Sequence, residues 1–227
     1  MAQILRNRKV PPNFFNATIT YRRDSRYFYP YGHFSPLLPN DDNSSIITEE
    51  QVLVAVKKKN RGSLIFVSNC HTNSKRENVI RELGRFTEVT VRGGCEKQLL
   101  VNTKLSSSSC SSGCSDNELI ATHRFYIAFE NSICNDYITE KFFMRASQML
   151  VPVVMRRRYY ERAGIPPSAF IALDDFRTVR ELGQYLTHLR NNDTAYMKWG
   201  REEGVGWPRA DRTERRLVPC PGKMSEH

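Results

Sequence analysis

One stretch constrains this chain more than any other. His123-Arg124-Phe125-Tyr126-Ile127-Ala128-Phe129 is an aromatic-rich, largely apolar run that gives way to Glu130-Asn131-Ser132 and then to Asn135-Asp136-Tyr137-Ile138-Thr139-Glu140-Lys141. Helix-compatible sequence resumes at Phe142. A buried strand delivers binding groups in this way, by breaking into a polar cluster at the open end of a sheet, just before a helix begins.

Shorter runs of the same kind recur at 63–68 (SLIFVS), 87–92 (TEVTVR), 151–154 (VPVV) and 170–173 (FIAL). Helical patterns separate them, over 73–83 with Gly84 as the stop, 137–149, 159–163 and 179–190. Strand and helix in alternation predict an α/β fold, a Rossmann-like parallel sheet covered by helices. Residues 47–56 predict a further helix, with Thr48 as a cap and Glu49 and Glu50 in its first turn. The organisation reads as a Pro-, Asn- and Tyr-rich linker and remnant over 1–57, the α/β domain over 58–192, and a helix and tail over 193–227 with Trp199, Trp207 and the basic run 209–216. The Ser/Cys-rich stretch 99–116 has no periodicity and predicts a mobile or disulfide-pinned loop.

At 227 residues with 40% apolar content the chain can bury a substantial core. Its net charge of +10 raises nucleic-acid binding, but the basic residues are dispersed apart from 57–59 and 156–158, and no RNA- or DNA-binding motif accompanies them. Nucleic acid is therefore not the expected partner, whereas a nucleotide-sugar diphosphate accounts for part of the charge. No apolar run is long enough to span a bilayer, and residues 1–8 lack a signal-peptide core. The sequons at Asn16, Asn43 and Asn192 and the six cysteines nonetheless suit an oxidising compartment. Cys70, Cys95, Cys110, Cys114, Cys134 and Cys220 have neither zinc spacing nor a paired histidine motif, so disulfides are expected, with the pairing open. No D-x-D motif is present; Asp41-Asp42 and Asp174-Asp175 are adjacent pairs in turn contexts, and no metal site is expected.

The segment 125–141 resembles the signature of the α-1,3-fucosyltransferases, glycosyltransferase family 10, with its pattern F-Y-x-A-F-E-N-S followed by D-Y-x-T-E-K. Tyr21-Arg22-Arg23-Asp24-Ser25 with Tyr31-Gly32 is similar to a linker element of that family. Phe66-Val67-Ser68-Asn69 with Ser74-Lys75-Arg76 is similar to its first donor-side strand and helix, and Val151-Pro152-Val153-Val154, Tyr160-Glu161-Arg162, Pro166-Pro167 and Asp174-Asp175-Phe176 continue the resemblance in order. It implies the C-terminal, donor-binding half of a GT-B glycosyltransferase that moves fucose from GDP-fucose to a GlcNAc-containing glycan with inversion, without an obligatory cofactor, in the Golgi lumen. Carried over residue by residue, Arg76, Asn131, Tyr137, Glu140 and Lys141 would contact the donor, with Arg76 and Lys141 on the diphosphate and Glu130 near the anomeric carbon. Arg76 would also balance the charge growing on departing GDP.

The competing reading of 130–141 is a helix-capping network in which Asp136 or Thr139 caps and the charged pair is exposed. For Arg23 and Asp24 a structural hinge is the expected role. Inverting transfer also needs a base for the acceptor hydroxyl, and no acid precedes Tyr21. The resemblance then implies an N-terminally truncated or alternatively started product, or an incomplete gene model, able to hold the donor and not expected to turn it over without the other half, with self-association through an uncovered interdomain face. Arg26, Arg145 and Met155-Arg156-Arg157 depart from the family pattern. The alternatives are a non-catalytic GDP-sugar-binding module and a polyanion-binding protein.

Overall fold

The computed structural model describes residues 14–34, 49–99, 114–146 and 148–198. A two-residue parallel pair, β1 (Ile19–Thr20) and β2 (Tyr27–Phe28), precedes helix α1 (Glu49–Lys58). Then follow β3 (Arg61–Phe66), α2 (Arg76–Leu83), β4 (Val89–Arg92), α3 (Glu96–Leu99), α4 (Asp116–Thr122) and β5 (His123–Ile127). The chain continues through α5 (Glu140–Ala146), β6 (Val151–Val154), α6 (Arg157–Arg162), β7 (Ile171–Ala172), α7 (Val179–Arg190) and α8 (Asp193–Lys198). The main sheet has the order β4-β3-β5-β6-β7 with every pairing parallel, as the strand–helix alternation predicts.

β3, β5, β6 and β7 each divide their side chains between two cores. Phe125, Ile127 and Phe129 join Ile65, Val91 and Val153 under α2 and α7, where Ile80, Leu83, Leu182 and Leu186 cover them. Tyr126 and Ala128 face the other side with Leu64 and Val154, beneath Leu119, Phe142, Tyr160 and Phe170. Pro152 is tolerated inside this sheet for a local reason. Val153 O accepts from Ala128 N, so Val153 addresses β5 and Pro152 the opposite side, which β7 reaches only from Val153 onward.

Several boundaries differ from the sequence expectation. Helix α2 begins at Arg76 rather than 73, because Lys75 turns into the left-handed region at φ 56°. Helix α5 is confined to 140–146 within the expected 137–149, bracketed by Asp136 at φ 62° and Met149 at φ 56°. Helix α4 arises where no helix was expected, fixed by a capping box in which Ser115 and Glu118 exchange side-chain and backbone bonds. β1 and β2 fall in the expected linker. The insertion at 100–113 with Cys110, the turns at 36–42, the Asn43 sequon and everything from Trp199 on, including Trp207, 209–216 and Cys220, lie outside the described residues.

Cys70 and Cys95 form a disulfide that ties the loop after β3 to the start of α3, and Cys114 and Cys134 are also disulfide-bonded. Asn16 and Asn192 are both exposed, and Asn192 Oδ1 accepts from Ala195 N at the start of α8. Among the described residues no helix is long and apolar enough to cross a membrane.

Candidate donor site at the carboxyl edge of the sheet

The chain leaves β3 toward β4 on one side and later returns to place β5 on the other side of β3. The two departing loops therefore diverge above the carboxyl ends of β3 and β5, the switch point at which open α/β sheets place their ligands. The two loops are stitched across it. Ser74 N donates to Asn131 O at 3.0 Å, Ser74 Oγ to Glu130 O at 2.7 Å, and Arg76 Nη1 to Phe129 O at 2.6 Å.

Five of the six sequence-nominated residues lie on the β5 loop and the start of α5, and Arg76 opens α2 beside them. Glu130 Oε1 accepts from Thr139 N at 2.9 Å and from Thr139 Oγ1 at 2.7 Å, while Oε2 pairs with Lys141 Nζ at 3.0 Å. Burial pushes this carboxyl above its ordinary range, and Lys141 and Thr139 pull it back. Lys141 Nζ also reaches Thr139 Oγ1 at 3.1 Å and Glu140 Oε1 at 3.6 Å. Glu130 and Thr139 close the loop onto the first turn of α5, which agrees with the capping reading, but Lys141, which that reading leaves exposed, is largely buried against Glu130. Glu140, in contrast, keeps a half-exposed side chain.

Arg76 is 2% exposed and spans the carbonyls of Phe129 and Asn69. Burial lowers its pKa, and the nearby Glu130 carboxylate opposes that shift most. Tyr137 is buried with its ring 5.2 Å from that of Tyr21, and burial followed by the field of Glu130 raises its phenol. Three buried polar atoms of the nominated set have no hydrogen-bond partner among the described residues: Arg76 Nε, Asn131 Oδ1 and Glu140 Oε2. Ser63 Oγ, on β3, is the other such atom.

Residues 56–211 match the family model described as Glycosyltransferase family 10 (fucosyltransferase) C-term. The chain belongs to that family. It is 36% identical over 191 residues to Alpha-(1,3)-fucosyltransferase fut-1 of Caenorhabditis elegans, a match covering 83% of this chain and 41% of the relative. It is 33% identical over 206 residues to human 4-galactosyl-N-acetylglucosaminide 3-alpha-L-fucosyltransferase FUT6, covering 89% and 51%. The chain spans about half the length of these curated relatives. A crystal structure of an alpha1,3-fucosyltransferase with GDP-fucose shares the fold at TM-score 0.57 and 18% identity, over 87% of this chain and 64% of that one. The expected Rossmann-like half of a GT-B architecture is borne out.

Within this family 10 domain a shallow cleft of about 20 Å³ lies between the β5 loop and α6, lined by Glu130, Tyr137, Arg156, Tyr159 and Tyr160 among others. A second hollow lies at the amino ends of the strands, against Val54, Ala55, Lys59, Ala121 and Met149. It is at the wrong end of the sheet for a ligand held by strand-terminal loops. The sequence did not nominate Ser74, Thr139 or Asp136 as site residues, although each organises the loops. Asp136 accepts from Arg23 N at 3.1 Å, a contact across 113 positions that no local pattern announces. The Arg22–Asp24 pair is exposed and local, as the hinge reading expects.

Proposed function

We propose that residues 58–192 form the GDP-fucose-binding domain of an inverting α-1,3-fucosyltransferase that delivers fucose to a GlcNAc-containing glycan in the Golgi lumen. Residues 1–57 then belong to the linker and acceptor side, and 193–227 to a closing helix and tail. The observation that carries the reading is the set of three unpartnered buried atoms, Arg76 Nε, Asn131 Oδ1 and Glu140 Oε2, on the two loops that flank the switch point. Buried polar atoms are nearly always hydrogen-bonded, and a donor and two acceptors left open at a sheet's switch point match the phosphates and hydroxyls of a nucleotide sugar. The names of the relatives support the choice of fucose and of an N-acetylglucosaminide acceptor. Exposed sequons at Asn16 and Asn192 and the disulfides support a secretory compartment.

Calorimetric titration with GDP and GDP-fucose tests this reading. Asn131→Ala and Glu140→Ala each weaken binding about tenfold, the worth of a charge-assisted hydrogen bond. Asn131→Ala keeps the parent unfolding midpoint, since Asn131 Oδ1 has no internal partner to lose, and Glu140→Ala stays close to it, losing only the 3.6 Å ion pair with Lys141. A folded chain that gives no heat with either ligand overturns the reading. Glu130 is already committed to Thr139 and Lys141, which favours a second reading, a GDP-sugar-binding module without turnover. Donor binding with no transfer to an N-acetyllactosamine acceptor selects that alternative.

A further inference from the structure

The two cations that the sequence assigns to the diphosphate are both internally engaged. Arg76 is 2% exposed and holds two carbonyls, and the Lys141 side chain is 14% exposed and sits against Glu130. Lys141 cannot turn to an incoming diphosphate without leaving the buried Glu130 carboxylate behind, and Arg76 offers it the single open Nε–H while Nη1 and Nη2 stay on the two carbonyls, so a further cation is needed to balance the diphosphate charge. The cleft wall supplies one. Arg156 lies at the carboxyl end of β6, opposite Glu130 and Tyr137, and its side chain is 53% exposed.

We propose that Arg156 is a diphosphate-binding residue of this donor site, an assignment that rests on the donor-binding reading above. Its neighbours in the basic triplet are spent elsewhere. Arg157 is held in a two-pronged pair by Asp175, with Nε to Oδ1 and Nη2 to Oδ2 each at 2.6 Å. Arg158 donates to the Tyr159 hydroxyl at 2.8 Å and lies over that ring. Arg156 keeps, among the described residues, a single long ion pair of 3.9 Å to Asp174, whose other oxygen accepts from Arg157 N. A guanidinium so loosely held can turn toward a phosphate and bind it with two parallel N–H groups. Among the described residues that line the cleft it is the basic one. Met155-Arg156-Arg157 departs from the family pattern at this point.

Titration of the full chain with GDP, GMP and guanosine tests the assignment, in the parent and in Arg156→Ala, Arg156→Lys and Arg162→Ala. Arg162 carries the same charge at the far end of α6 and controls for net charge. Arg156→Ala is expected to lower GDP and GDP-fucose affinity about tenfold while guanosine affinity stays within about twofold, and to flatten the salt dependence of GDP binding. Arg156→Lys recovers part of the loss. Equal GDP affinities in Arg156→Ala and Arg162→Ala overturn the assignment while leaving the donor site in place, as does an equal loss for guanosine and GDP. A folded parent chain that binds no GDP overturns the donor reading, and this assignment with it.

Discussion

Lys141 and Glu130 stabilise each other at a depth where neither is tolerable alone. Removing one partner of a buried pair leaves an unpaired charge, which costs more than the pair itself contributes. Lys141→Met is therefore expected to lower stability by about 3 kcal/mol, and adding Glu130→Gln restores part of it because an amide still accepts from Thr139; urea unfolding of the three variants measures the coupling. Any loss of donor affinity in Lys141 variants must be separated from this effect by titrating well below the unfolding midpoint. His123 gives a second prediction. Its Nδ1 donates to Leu119 O at 2.6 Å and its Nε2 accepts from the Thr90 hydroxyl at 2.8 Å, and burial lowers its pKa from 6.5 to about 4. The unfolded chain takes up the proton near pH 6.5 and the folded chain does not, so this contribution is complete above that pH and is lost as the pH falls toward 4. Stability at pH 5 should be about 2 kcal/mol below that at pH 7 through this group. His123→Gln should flatten that part of a urea-midpoint series, and an unchanged slope would discard the assignment.

At the scale of elements, the loop from β5 to α5 is braced from outside. Asp136 sits at φ 62°, a conformation that most side chains avoid, and Arg23 N holds its carboxylate. Gly32 lies so close to α5 that a Cβ there would approach the Phe143 ring to 2.5 Å. Gly32→Ala is expected to destabilise by about 1–3 kcal/mol through overpacking and to weaken GDP binding by displacing α5. Asp136→Gly separates geometry from attachment. Glycine takes the left-handed backbone freely, so a loss of donor affinity in that variant reports the carboxylate bond to Arg23, and retained affinity would show that the backbone turn alone matters. The run from Arg124 to Phe129 declares a buried strand, and the polar residues after it declare the sheet's open edge. The capping box of α4 was also written in the sequence, as Ser115 and Glu118, but it was obscured by the serine-rich stretch before it. The engagement of Arg76 with Phe129 O and the bracing by Arg23 had no local signature, because both partners come from distant segments. The sequence could nominate residues for the site but not tell which of them face a ligand and which face each other.

Across the whole molecule, the Cys70–Cys95 bridge closes a loop of 25 residues and ties together the segments that follow β3 and β4. Chain entropy assigns such a closure about 3.5 kcal/mol, so replacing both cysteines with alanine should lower the midpoint by roughly 10 °C, as read by calorimetry. Phe14, Phe15, Ile19, Tyr27 and Phe28 are all well exposed, and clustered apolar surface of this kind favours association. Sedimentation should show concentration-dependent self-association that Phe15→Ser with Tyr27→Ser reduces, and a monomer at all concentrations would count against it. The attachment of Arg23 to Asp136 also has a consequence in time. On a ribosome adding about 5–20 residues each second, Arg23 waits roughly 6–23 s for Asp136, 113 positions on. During that interval the aromatic side chains of residues 14–34 stay uncovered, and the loop from β5 to α5 gains its brace only once those residues are gathered in by the segment made later.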